Sequence, residues 1–309
     1  MGHLKAGRVS WIAENNGRRH QGYSGGKRES KVERLGKIGF MDSLGERGTR
    51  TSSLRKWCAL VGARSTLHWL LIRIRLVLGC GEPEMWRVRP RTVQHALTVR
   101  LRDSSDMSVF RQIFSLDEYS SLRSLENVSI VMDLGANVGY SSAYFLSCFP
   151  NCRVVAVEPD ERNAAMCRNN LKAYGDRVLL LQGAVWSEPT ALCLSKGIFG
   201  DGREWATQVL KPLNGSIGEV QAWDVGTLID MAGSSEVDLL KVDIERAELA
   251  VFSDTARTWL HRVRNICIEL HGPDCQEAFF NALASFDYEL EHSGELTICR
   301  NLHAKTVTD

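Results

Sequence analysis

The sequence predicts a doubly wound α/β fold with a mostly parallel sheet and a closing antiparallel hairpin. Three observations carry this. Short apolar runs (Val128–Leu134, Arg153–Val157, Val178–Leu181, Val237–Val242, Ile266–Leu270) recur along the chain, several of them followed by segments of helical period, the pattern of strands covered on both faces. The first run ends in Asp133-Leu-Gly-Ala-Asn-Val-Gly139, a glycine-bearing turn into a helix. The chain closes on two strand-like pieces, Tyr288–Glu291 and Leu296–Arg300, around Ser293-Gly294.

Taken in order, residues 1–56 are rich in Gly, Arg, Ser and Asn and lack apolar periodicity, so a disordered extension is expected. They hold thirteen Lys or Arg against five Asp or Glu, a net +8, and since the whole chain is +1 the remainder is about −7. Residues 57–94 read as an amphipathic helical lead-in, and residues 95–309 as the main domain. Within the lead-in, Trp57–Leu78 is apolar but interrupted by Arg64, His68, Arg73 and Arg75. A central arginine costs about 2.5–3.5 kcal/mol on insertion scales, so a helix packed on the domain is expected rather than a span. Weak contact of residues 1–78 with a membrane surface is the alternative.

Ala96–Leu101 alternates like a strand, and Ser108–Leu122 suggests short helical pieces. A helix is expected from Tyr140 to Phe149, stopped by Pro150, and another to Tyr174 with Asp160 as N-cap. Gly and Pro break residues 186–222 into short alternating pieces, an inserted hairpin. A further helix is expected from Ala247 to Leu260.

Hydrophobic residues at 44% and charged residues at 24% exclude general disorder, fibrous repeats and a polytopic membrane protein. Nine cysteines without a CxxC pair, and no apolar leader in the first thirty residues, point to a reducing, cytoplasmic setting, peripheral to the membrane if the basic arm binds there. No nucleic-acid partner is expected, and oligomeric state is not legible.

For chemistry, Gly135 and Gly139 allow a backbone to approach a ligand closely. Glu158 ends the next strand 23 residues after Gly135, where a carboxylate in a nucleotide-binding βαβ unit accepts from ribose hydroxyls. Lys241, Asp243 and Glu245 alternate at the end of an apolar strand, and Glu269 and His271 repeat the arrangement on the next. A Lys241–Asp243 or Lys241–Glu269 ion pair is one reading of these charges; a general base at His271, active near neutral pH, is another. Asp243, Glu269 and His271 would also suit a divalent metal, but their spacing does not specify one, and no metal is expected.

These segments resemble the FkbM family of S-adenosylmethionine-dependent methyltransferases, within the class I methyltransferase superfamily. The match runs from about Val99 to Arg300 and rests on Asp133–Gly139, Val157-Glu-Pro-Asp160, Gln182-Gly-Ala-Val185, Asp238–Glu245 with Glu248, and Ile268-Glu-Leu-His-Gly272. The resemblance implies a Rossmann-like sheet of seven strands. It implies that Asp133, Gly135, Ala136, Asn137 and Gly139 hold the methionine part of S-adenosylmethionine, that Glu158 binds its ribose, and that Gln182, Gly183 and Ala184 edge its adenine. It further implies O-methylation of a small-molecule or glycan hydroxyl, on a sugar or natural product. His271 or Asp243 would take the hydroxyl proton, Lys241 would orient Asp243 or steady the alkoxide, and Glu245 and Glu269 would complete the site. Arg246 departs from the family, which usually has Gly there; a cation at that point is expected to narrow the acceptor pocket, bind an anionic acceptor or weaken activity. Two other readings compete: a catalytically silent scaffold that binds the cofactor, and an NAD-dependent oxidoreductase, whose Gly-x-Gly-x-x-Gly fingerprint is broken at Asn137.

Overall fold

The structure, a computed structural model, describes residues 50–78, 84–102, 104–196, 207–210 and 219–306. The expected disordered extension, and part of the 186–222 insertion, lie outside these residues. The compact unit is Thr51–Asp309.

Helix α1 (Arg50–Val77) is followed by strands β1 (Met85–Val88) and β2 (Leu97–Arg100), an antiparallel pair. Helix α2 (Asp106–Phe110) runs into a π-turn at Arg111–Ser115 and a 3-10 turn at Ser120–Ser124. The core then reads β3 (Ile130–Leu134), α3 (Tyr140–Cys148), β4 (Arg153–Glu158), α4 (Glu161–Leu171) and β5 (Val178–Gln182). Strands β6 (Ala184–Val185), β7 (Thr190–Lys196), β8 (Thr207–Leu210) and β9 (Val220–Trp223) follow. The chain continues through α5 (Val225–Met231), β10 (Leu239–Val242), α6 (Glu248–Val251), β11 (Ile266–Glu269) and α7 (Pro273–Ala282), and closes on β12 (Phe286–Ser293) and β13 (Leu296–Ala304).

The main sheet has seven strands in the order β12-β13-β11-β10-β3-β4-β5. Strands β11, β10, β3, β4 and β5 are parallel, and β12 and β13 form the closing antiparallel hairpin, with β13 against β11. This is the arrangement that the apolar runs and the resemblance predict. Every residue of β3 and β10 is buried, as befits central strands covered on both faces. The insertion forms the expected hairpin, β7 against β8, and β7 also joins β9 in a small second sheet with β6.

Two local expectations are corrected. The helix expected over Ala247–Leu260 is only α6, followed by 3-10 turns at Asp254–Thr258 and Leu260–Arg262. Ser253 leaves the helix with extended backbone (ψ −174°), and its hydroxyl bonds that of Thr255, the competition by which Ser and Thr break helices. Helices α5 and α7 were not anticipated, although each carries a start signal: the Asp224 side chain accepts from Thr227 N, and Pro273 opens α7. Helix α1 packs on the domain, as read from the sequence: Trp57 and Trp69 of α1 lie 6.0 and 5.1 Å from Trp86 of β1, itself 6.1 Å from Phe110 of α2. The cysteines among the described residues are free thiols, and no described helix is long and apolar enough to cross a membrane.

One buried ion pair ties the middle of the sheet. Lys241 on β10 lies beside Asp133 on β3, with Nζ 3.1 Å from Asp133 Oδ1 and donating to Gly135 O at 2.7 Å. Asp133 Oδ2 accepts from the hydroxyls of Ser141 and Ser142 on α3, each at 2.6 Å. Both charges are almost wholly buried (3% and 0% exposed), so removing one strands the other in a low dielectric. Lys241→Met is expected to cost about 3–5 kcal/mol in urea unfolding, and the double variant with Asp133→Asn to recover part of it.

Candidate active site

The strand order reverses between β3 and β10, and ligands in such sheets bind where the carboxyl ends diverge. A cavity of about 430 Å³ opens at this point. One part of its wall is a glycine turn and a carboxylate, and the other is a cluster of acidic groups around a histidine.

The turn after β3 is latched to β4, because the amides of Gly135 and Ala136 both donate to Val157 O at 3.0 Å. Gly135 sits at φ +80°, and a Cβ there would stand 1.8 Å from Asp243 O. Gly139 sits at φ +83°, with Cys167 Sγ at 2.8 Å from where its Cβ would be. These two positions therefore need glycine for conformation and for space. Asn137 also has positive φ, and its amide donates to Glu158 Oε2 at 2.9 Å. The other oxygen, Oε1, accepts from Asp160 N at 2.9 Å. Burial pushes the Glu158 carboxyl up to about 7, against the pull of those two amides. Asn137 Oδ1 is buried without a hydrogen-bond partner among the described residues, an acceptor facing a donor yet to arrive.

Of the residues read from sequence as cofactor-binding, Gly135, Ala136, Asn137, Glu158, Gly183 and Ala184 line the cavity. Asp133, Gly139 and Gln182 do not. The Asp133 carboxylate lies under the turn, held by Lys241 and two serines. Gly139 caps α3 and packs on α4, while Gln182 is exposed at the edge strand β5.

All five residues read as catalytic line the cavity, although not as an alternating strand face. Strand β10 ends at Val242, and Glu245 and Arg246 lie beyond it in left-handed backbone (φ 51° and 77°). Lys241 pairs with Asp133 and lies 3.7 Å from Asp243; the alternative Lys241–Glu269 pair is not formed. Its ammonium is held at the base of the cavity by Asp133 and Gly135 O.

His271 Nδ1 donates to the wholly buried Glu248 at 2.9 Å, so that Nε2 faces Glu269, Asp243 and Glu245 at 3.6, 3.8 and 3.8 Å. Burial alone would lower the imidazole, but the bond to Glu248 and the charges of Glu248, Asp243 and Glu245 push it up to about 9. The imidazole is therefore mostly protonated at neutral pH and is freed to accept a proton as pH rises toward about 9. Burial, then the charge of Asp243, raises Glu269 to about 8. Asp243, Glu269 and His271 each offer a ligand atom within 4.8 Å of the others, so the three residues weighed as metal ligands do converge.

Arg246 does not act as expected. Its guanidinium donates to His271 O at 2.9 Å and pairs with Asp274, and it does not line the cavity, so it neither narrows that space nor offers charge to a ligand there. The left-handed backbone at this position is one that glycine adopts without strain, which is what the departure from the family costs the chain.

Sequence reading missed several walls. Gln112, Glu118 and Tyr119 arrive from the turns after α2, and Glu295 from the closing hairpin. Each is ordinary in its local context, and only the folded chain brings them to the cavity.

A parallel sheet with a glycine turn and a carboxylate at its reversal point is the arrangement at which α/β proteins of this kind bind ligands. The chain belongs to the methyltransferase FkbM domain family, which it matches over residues 133–292. It is 28% identical over 207 residues to the 2-O-methyltransferase NoeI of Sinorhizobium fredii, covering 60% of this chain and 81% of that one. It is 26% identical over 225 residues to the AMB antimetabolite synthetase AmbE of Pseudomonas aeruginosa, covering 62% of this chain and 11% of that one. A solved SAM-dependent methyltransferase from Agrobacterium tumefaciens aligns at 10% identity and a TM-score of 0.41, over 71% of this chain and 70% of that one. Family membership removes the oxidoreductase reading.

Ribose hydroxyls donate more strongly to an ionised carboxylate than to the neutral acid. Affinity for S-adenosylhomocysteine is therefore expected to rise by up to about tenfold per pH unit below about 7 and then level off. Calorimetry across this range should show the slope, and Glu158→Gln should weaken binding and flatten it.

Proposed function

We propose that this protein transfers a methyl group from S-adenosylmethionine to a hydroxyl oxygen of a sugar or natural product. The observation that carries the reading is the single cavity at the β3/β10 reversal, which joins the glycine turn and Glu158 to the cluster around His271. The residues fit the cofactor. Asn137 Oδ1 wants a donor, Glu158 suits a ribose diol, and about 430 Å³ lies within the usual range for small-molecule sites. Gly135, Ala136 and Asn137 would hold the methionine part, Glu158 the ribose, and Gly183 and Ala184 the adenine edge. When bound, the cofactor supplies an electrophilic methyl on a sulfonium sulfur.

The rest of the chemistry belongs to the chain. His271 would accept the proton of the acceptor hydroxyl at Nε2, with Glu248 fixing its ring, and Asp243, Glu245 and Glu269 would receive hydrogen bonds from acceptor hydroxyls. Lys241, 3.7 Å from Asp243, would hold that carboxylate in place. The acidic wall, to which Glu118 and Glu295 contribute, repels anionic acceptors and suits polyols. Oxygen as the acceptor atom is supported by the similarity to a protein named as a 2-O-methyltransferase. The silent-scaffold reading rested on Arg246, whose side chain is turned away from the cavity.

Transfer of labelled methyl from S-adenosylmethionine into a panel of hydroxylated sugars and polyketides tests the reaction. Because a base must be deprotonated, turnover is expected to rise about tenfold per pH unit up to about 9. His271→Ala should remove that limb and lower turnover by about 10²–10⁴. If His271→Ala and Asp243→Asn both turn over like the parent, these roles are wrong.

A further inference from the structure

Helix α1 has two unlike faces. Its inner face buries Trp57, Val61, Trp69 and Ile72 against the domain. A second stripe looks outward: Leu67, Leu71, Ile74 and Leu78 are 59%, 49%, 53% and 70% exposed. Their spacing of four, three and four residues stacks them in one row along the helix. Such a row is seldom left bare on a soluble surface.

Charge identifies what covers it. Residues 50–77 contain six Lys or Arg and no Asp or Glu. Arg64, His68 and Arg75 are exposed along one flank of the leucine row, within a quarter turn of it. The preceding residues 1–49 add further net positive charge, while the rest of the chain is net negative. An apolar row edged by cations, on a helix without a single acid, matches an interface whose inside is hydrocarbon and whose surface is anionic.

We propose that α1 docks the protein on an anionic phospholipid bilayer, lying in the interface with Leu67, Leu71, Ile74 and Leu78 inserted and Arg64 and Arg75 against lipid phosphates. The helix does not cross the membrane. Its buried tryptophan face stays on the domain, so docking requires no unfolding. The binding is independent of methyl transfer and of the cofactor site.

Co-sedimentation of the full chain with vesicles tests this. With phosphatidylcholine and phosphatidylglycerol at about 2:1, most of the protein should pellet, and with phosphatidylcholine alone little should, since each basic residue near an anionic surface contributes about 1 kcal/mol. Leu67→Asp with Leu71→Asp should lower the vesicle partition coefficient at least tenfold, while affinity for S-adenosylhomocysteine and the far-ultraviolet circular dichroism stay at parent values. Arg64→Gln with Arg75→Gln should abolish most of the preference for anionic vesicles. Parent protein that stays in the supernatant with both vesicles overturns the proposal, as does an aspartate variant that pellets like the parent. A dimer in sedimentation velocity that the two aspartates dissociate, without vesicle binding, overturns it in favour of contact between copies.

Discussion

The buried pair between Lys241 and Asp133 is the constraint on which the site depends. It joins the two strands at which the sheet reverses direction, and it lies directly under the turn that lines the cavity. The same ammonium binds Gly135 O, and the same carboxylate binds two serines at the start of α3. Strand, turn and helix are thus held in one register by a single charged node. Such a node adds little net stability over an apolar pair, but it specifies geometry, because each partner is costly to leave alone.

Around this node the chain gathers carboxyl groups, of which burial and the neighbouring charges keep Glu269 protonated up to about pH 8. Glu118, Asp243, Glu245, Glu269 and Glu295 share one cavity with one imidazolium, while Lys241 is occupied below. The raised values at Glu269 and His271 are the electrostatic record of that crowding. Perturbed ionisable groups gathered in a cavity are the physical basis for reading this wall as the acceptor end.

Some of this was legible in the linear chain. Strand runs such as Val128–Leu134 announced themselves through apolar residues that need cover on both faces, and Gly135 and Gly139 through a turn that only a residue without a side chain can make. Glu158, Asp243 and His271 were found because strand ends in a parallel sheet converge by topology. Where short-range competition decides, the reading failed: the helix over Ala247–Leu260 stops at Val251, and the caps at Asp224 and Pro273 passed unnoticed.

By itself, then, the sequence determined the sheet, its closing hairpin, the glycine turn and the family, since these follow from periodicity and from residues with no substitute at their positions. Tertiary structure decided what the charges do. Lys241 has Asp133 rather than Glu269 as its partner, the carboxylates around His271 push its imidazole up to about 9, and Arg246 faces Asp274 rather than the cavity. It also brought Glu118 and Glu295 to a wall formed by residues more than a hundred positions apart. Electrostatic roles depend on distance and burial through space, and neither is written in spacing along the chain.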